Sequence, residues 1–150
     1  MANKYFAKLN ENNIVVQLAL VAENSAVSEE AGISFLRNFY KEPNANWKQY
    51  DKYTVNNLHK NGGTPFRGNG AVIGGEWDEV NQVFWHVAPF DSWTKNMSNY
   101  SWESPVPFPS NLDGKRPIWN EELTRWEGES GYDPVNRFYW DPNNSSWVAI

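Results

Sequence analysis

The sequence contains no cysteine, only two histidines, and no long hydrophobic run. Without cysteine there is no disulfide framework, no thiolate nucleophile, and no zinc or iron–sulfur site built on sulfur. The two histidines, His59 and His86, stand apart, and Asp78 and Asp91 merely flank His86 in sequence, so neither a metal site nor a histidine base is expected. The longest apolar stretch, Ile14 to Ala22, is interrupted by Gln17 and falls far short of a membrane span. The opening Met1-Ala2-Asn3-Lys4-Tyr5-Phe6 has no basic segment feeding an apolar core, so no signal peptide is expected. A basic excess is missing too. With 13 Lys/Arg against 18 Asp/Glu the net charge is −5, which argues against nucleic acid as a partner.

What the 150 residues do contain is aromatic side chains: nine tryptophans, seven tyrosines and eight phenylalanines. The length suits one domain or two very small ones. Residues 1–75 carry eight Lys/Arg against six Asp/Glu, whereas residues 76–150 carry five against twelve and hold eight of the nine tryptophans. That asymmetry fits complementary ends that attract head to tail, or simply an acidic solvent face on a β-rich second half.

The first segment reads as a hairpin, with Tyr5 to Leu9 and Ile14 to Val21 as strands around Asn10-Glu11-Asn12-Asn13. Ser25 or Ser28 then caps a helix. Glu29 and Glu30 sit in its first turn, Ala31, Phe35, Leu36, Phe39 and Tyr40 follow at helical spacing, and Pro43 ends it. Gly32 weakens that helix by about 1 kcal/mol relative to alanine. Trp47 to Thr54 alternates as a strand. Asn56 to Gly75, dominated by Asn and Gly, reads as loop with one strand at Ala71-Val72-Ile73. The expected class is therefore α+β: a ββα unit with a following strand over 1–55, a Gly/Asn-rich connector over 56–75, and an aromatic β-hairpin region over 76–150.

That last region carries a weak repeat. Trp77 is followed seven residues later by Phe84, Trp93 by Tyr100, Trp119 by Trp126, Tyr132 by Tyr139, and Trp140 by Trp147. Turn tetrads lie between several of these pairs: Asp78-Glu79-Val80-Asn81, Asp133-Pro134-Val135-Asn136 and Asp141-Pro142-Asn143-Asn144. Asp bonds the backbone two residues on, Pro presets φ, and the closing Asn tolerates the left-handed conformation. Asn120-Glu121-Glu122-Leu123 is an imperfect copy, because Leu is a poor left-handed residue. Two proline-rich straps, Ala88–Ser92 and Ser104–Ser110, link the hairpins and cannot join a central ladder.

No catalytic constellation emerges. Gly62 to Gly70 lacks the Gly-Lys-Ser/Thr ending that cradles phosphate, no serine sits in a Gly-x-Ser-x-Gly elbow, and the acid pairs fall at helix starts or hairpin tips. No enzyme activity, cofactor or metal is expected. The aromatic excess has three readings: packing of the small hairpins, contact with other subunits, or stacking on sugar rings.

The motifs in order resemble a family of small virion proteins of tailed phages of marine bacteria, notably cyanophages. The resemblance starts at Phe6-Ala7-Lys8-Leu9-Asn10-Glu11-Asn12-Asn13-Ile14-Val15-Val16-Gln17 and Val21-Ala22-Glu23. It continues through Gly62-Gly63-Thr64-Pro65-Phe66-Arg67-Gly68-Asn69, Ile73-Gly74, Trp77-Asp78, Val83-Phe84 and Ala88-Pro89-Phe90-Asp91-Ser92-Trp93. It runs on through Trp102-Glu103-Ser104-Pro105-Val106-Pro107-Phe108-Pro109, Asp113-Gly114-Lys115 and a closing hairpin from Trp119-Asn120-Glu121-Glu122 to Trp126-Glu127. Similar proteins stop after one such hairpin, whereas Tyr132 to Ile150 reads as two more.

The resemblance implies a structural component of a phage particle, made in the host cytoplasm and residing in the virion, with no catalytic residues to carry over. Head decoration, tail or baseplate, and fibre-associated positions all stay open. The expected partners are other virion proteins and copies of the chain itself, not nucleic acid or membrane. The candidate contacts are Trp93, Trp102, Phe108, Trp119, Trp126, Trp140 and Trp147. The alternative is a carbohydrate-binding module of a tail or fibre component that recognises host glycans.

Overall fold

A computed structural model describes residues 2–132 and 134–150. The chain divides into two units, Met1–Val87 with Asn96–Ser101, and Ala88–Lys95 with Trp102–Ile150.

In the first unit, β1 (Asn3–Leu9) lies between β2 (Val15–Ala22) and β3 (Asn46–Tyr50), antiparallel to both. Alternation along β1 sends Phe6 to one face of the sheet and Tyr5, Ala7 and Leu9 to the other. On the Phe6 face lies α1 (Glu29–Tyr40), packed through Leu36 onto Phe6, Val21, Ala26 and Trp47. Of the two serines that could start this helix, the structure uses Ser28, whose Oγ accepts the Ala31 N–H at 3.1 Å. The helix ends on Lys41 in the left-handed conformation, φ 56°, ahead of Pro43. Gly32 is there for Phe6. A Cβ at residue 32 would overlap the tip of the Phe6 ring, so the glycine lets helix and sheet approach.

On the opposite face a hairpin of β6 (Glu76–Asp78) and β7 (Val83–Trp85) closes the core, with Trp77 and Phe84 against Ala7, Leu9, Val15 and Tyr50. Both faces of the three-stranded sheet thus carry packed side chains, while Val16, Leu18 and Leu20 of β2 stay exposed.

The segment expected as a connector lies inside this unit. The strand expected at Ala71–Ile73 does not form. Instead β4 (Thr54–Val55) and β5 (Leu58–His59) make a tight hairpin whose two loop residues, Asn56 and Asn57, are both left-handed. Two buried polar side chains hold it. Thr54 Oγ1 donates to Asp51 Oδ2 at 2.6 Å and accepts the Phe66 N–H. Asn69 Oδ1 accepts the Asn56 N–H, while its Nδ2 donates to the carbonyls of Phe84 and Tyr100.

A further two-stranded sheet pairs β8 (Thr94–Asn96) with β9 (Ser101–Glu103). The second unit is built on a four-stranded antiparallel meander of β10 (Arg116–Asn120), β11 (Arg125–Ser130), β12 (Asn136–Asp141) and β13 (Ser146–Ala149). Trp119, Trp126 and Trp140 form its core.

The seven-residue spacing is explained by loop length. Asp78 pairs with Val83 and Asp141 with Ser146, leaving four loop residues, so Trp77 faces Phe84 and Trp140 faces Trp147; Trp119 faces Trp126 in the same way. The Asp side chains do bond the turn as expected: Asp78 Oδ1 accepts from Val80 and Asn81, and Asp141 Oδ1 from Asn143 and Asn144. The left-handed residue, however, is the last of the four, Gln82, Thr124 or Ser145, rather than the residue before it. Leu123 therefore carries no strain.

Two of the five spacings are not pairs. Tyr100 packs edge-on against Trp85, while Trp93 packs on Trp119 and Trp126. Tyr139 lies opposite Glu127 and Val148, and Tyr132 is exposed. The turn read at 133–136 begins on Asp133, outside the described residues. The end of the chain adds two strands to the β10–β11 hairpin, β12 pairing with β11 and β13 with β12.

The α+β expectation is overturned. The protein is mostly β, 39% strand against 10% helical, in several small sheets with one α-helix among the described residues. Pairing enters the Asn/Gly-rich stretch at Leu58–His59 and resumes through the second half, and only residues 28–40 combine a cap with helical apolar spacing.

Candidate functional site

The strap at 104–110 is held over the meander by the tryptophans beneath it. Trp126 Nε1 donates to the Val106 carbonyl at 2.9 Å, and Phe108 meets the Trp126 ring edge-on at 5.0 Å between centroids. The strap at 88–92 is anchored by one hairpin-tip carboxylate. Glu121 accepts from the Ser92 N–H at 2.8 Å, the Ser92 hydroxyl at 2.7 Å and the Trp119 indole at 2.7 Å. These bonds, the Ser92 hydroxyl foremost, hold the Glu121 carboxyl below the ordinary glutamate range.

Trp93, β9, the strap at 104–110 and Trp126 of the meander line a groove of about 510 Å³. Its walls are Trp93, Trp102, Pro107, Phe108 and Trp126, with Glu103 and Ser104 as the polar members. That volume lies within the usual range of ligand sites. Trp93 is half-buried and its indole N–H finds no acceptor among the described residues. The Lys95 ammonium lies 5.8 Å from the centre of the Trp102 ring.

Four of the seven sequence candidates, Trp93, Trp102, Phe108 and Trp126, therefore converge on one groove. Trp119 is buried against Trp93 and Trp126. Trp140 is buried too and faces Trp147, whose indole N–H donates to the Asn111 carbonyl. Trp119 and Trp140 build the unit's core rather than its surface.

Both histidines contact backbone groups. His59 Nδ1 accepts the N–H groups of Asn61 and Gly63, which leaves the proton on Nε2, 3.4 Å from Asp51 Oδ2. His86 Nε2 lies 3.2 Å from the Gly70 carbonyl. Among the described residues no group of three or more His, Asp or Glu side chains could hold a metal ion.

One polar constellation had no signal in the sequence. Glu29, at the start of α1, takes a two-pronged bond from Arg67 at 2.7 and 2.9 Å and also accepts the Gln49 N–H; Arg67 donates to the Gln49 carbonyl. Arg67 holds a left-handed backbone, φ 55°, to do so. Partial burial pushes the Glu29 carboxyl up, but the bonds from Arg67 and Gln49 and the charges of Arg67 and Lys48 outweigh it and hold it below the ordinary value. The partners are separated by 38 residues, too far for any local pattern to reveal.

Comparison with protein-family models, with curated proteins and with solved structures gives no match.

Proposed function

We propose that this chain is a non-enzymatic structural protein of a bacteriophage particle, a head decoration or accessory protein that binds other virion subunits. The observation that carries the binding reading is the groove formed by Trp93, Trp102, Phe108 and Trp126 between strap and meander. Phe108 is more than half exposed there, and aromatic rings of this kind supply most of the energy at protein contacts. The groove lining offers a single carboxylate, Glu103, and no histidine, which does not make an acid–base pair. The ordered motifs from Phe6 to Glu127 that resemble marine-phage virion proteins support the particle as its setting.

The reading is tested by incorporation. Particles grown with the Trp102→Ala/Phe108→Ala chain should lack it after purification, while wild-type chain is retained and both unfold at the same temperature. Equal retention of the variant would contradict the reading.

A second reading, glycan recognition by a tail or fibre component, is favoured by Glu103 and Ser104 lying beside the ring of Trp102. Stacking of a pyranose on that ring predicts a sugar-dependent change in tryptophan fluorescence, absent in Trp102→Ala. Under the subunit-binding reading, sugars leave the emission unchanged.

A further inference from the structure

The three-stranded sheet has two edges, and they are treated differently. The β3 edge is closed: the outward N–H and C=O of Gln49 are taken by Glu29 and Arg67. The β2 edge is open. The Glu23 N–H bonds the Ala2 carbonyl, and this sets the phase of the β1–β2 ladder. Lys4 with Val21, Phe6 with Ala19, and Lys8 with Gln17 exchange bonds, so Leu18 and Leu20 turn their N–H and C=O groups outward. No backbone partner meets those four groups among the described residues. The opening is bounded at both ends. Gly74 and Gly75 bond both backbone groups of Val15, and the Ala26 N–H takes the Ala22 carbonyl.

The side chains along this edge add to the exposure. Val15–Ala22 reads Val-Val-Gln-Leu-Ala-Leu-Val-Ala, without a charge or a proline. Val16, Leu18 and Leu20 are exposed, Leu20 at 58%. Soluble proteins ordinarily guard such an edge with lysine, proline or a covering loop, and residues 16–21 have none of these. Beside the two leucines, Tyr5, Tyr50 and Lys52 line a shallow depression of about 250 Å³.

We propose that this edge is where two copies of the chain pair, β2 against β2 antiparallel, about a two-fold axis at Ala19. That register puts Leu18 of one copy opposite Leu20 of the other, twice. All four outward groups of each copy are then satisfied by four intermolecular backbone hydrogen bonds, and the two three-stranded sheets merge into one of six strands. The edge is uncharged, so it presents no repulsion to its own copy and no counter-charge to a charged partner. The pairing is isologous and closes at two. The edges of the second unit fit less well: β10 carries Pro117, and β13 is only four residues long. This inference does not rest on the virion reading.

The test is the mass of the full chain in solution, by light scattering over a concentration series, with amide exchange alongside. We expect a mass rising toward twice the 17.3 kDa of the chain, and a Leu18→Lys/Leu20→Lys variant that stays at 17.3 kDa with its unfolding temperature kept. Val80→Lys, at an exposed hairpin tip, should pair as wild type. Should the double lysine variant fail to fold, the wild-type amides decide: those of Leu18 and Leu20 should exchange at least tenfold more slowly at high concentration than on dilution. A monomer at every concentration, a variant that still dimerises, edge amides indifferent to concentration, or open-ended assemblies larger than two would each overturn the proposal.

Discussion

The ring of Phe6 stands where a side chain at residue 32 would have to go. This one contact ties strand to helix and reverses the ordinary reading of a glycine inside a helix. Gly32→Ala gains about 1 kcal/mol of helix propensity but forces the ring aside, an overpacking that costs roughly 1–3 kcal/mol. We expect net destabilisation in chemical denaturation. Phe6→Leu should reduce the penalty of Gly32→Ala; additive effects of the two substitutions would sink this account.

Asn69 stitches three segments together from a buried position. Asn69→Ala strands the Asn56 N–H and two carbonyls, and the loss should be roughly 2–4 kcal/mol of stability. Asn69→Asp keeps the acceptor for Asn56 but loses both donations, so it should also destabilise. A midpoint shift no larger than that of an exposed asparagine, such as Asn143→Ala, would contradict the role assigned.

Glu29 carries a pH signature. Its carboxyl is held below the ordinary value near 4.5, so its stabilisation is present above the unfolded-state value and is lost as pH falls through the lower folded value. Stability of the wild type should therefore fall more steeply below about pH 4.5 than that of Glu29→Gln. Parallel stability–pH curves for the two proteins would show that Arg67 and Gln49 do not hold the carboxylate.

Glu121 pins the strap at 88–92 through Ser92 while holding Trp119. Glu121→Ala should accelerate exchange of the Ser92 amide and change tryptophan emission, leaving amides of β1 at their wild-type rates. Glu121→Gln should act in the same direction but less, because one carboxamide oxygen still accepts. Unchanged exchange at Ser92 in Glu121→Ala would mean that Glu121 does not hold the strap.

Local chemistry was the legible part of this chain. Ser28 as cap, Asp78 and Asp141 as turn anchors, and the facing of Trp77 with Phe84 and Trp140 with Trp147 all follow from residues within eight positions of each other. What stayed hidden depends on distant partners. Asn69 looks like a loop residue and Thr54 like the end of a strand until their carbonyl and amide partners, 12 to 31 residues away, are in place. The class was misread for a related reason. Two-residue strands such as β4 and β5 have no periodicity to detect, so the pairing of Thr54–Val55 with Leu58–His59 left no sequence signal. The left-handed residue was displaced by one because loop length, not residue preference, fixes its place: Thr124 and Ser145 adopt it although asparagine is nearby. At the groove, the rings could be picked out by type, but which of them would be buried as core required the register of the meander.

The central claim, that the chain is a structural part of a phage particle, is tested most directly by gold-labelled antibody imaging of purified particles from the source of this sequence. The account predicts label on intact particles, over the head for a decoration protein. Particles without label, from infected cells whose lysate blots positive for the chain, would contradict it.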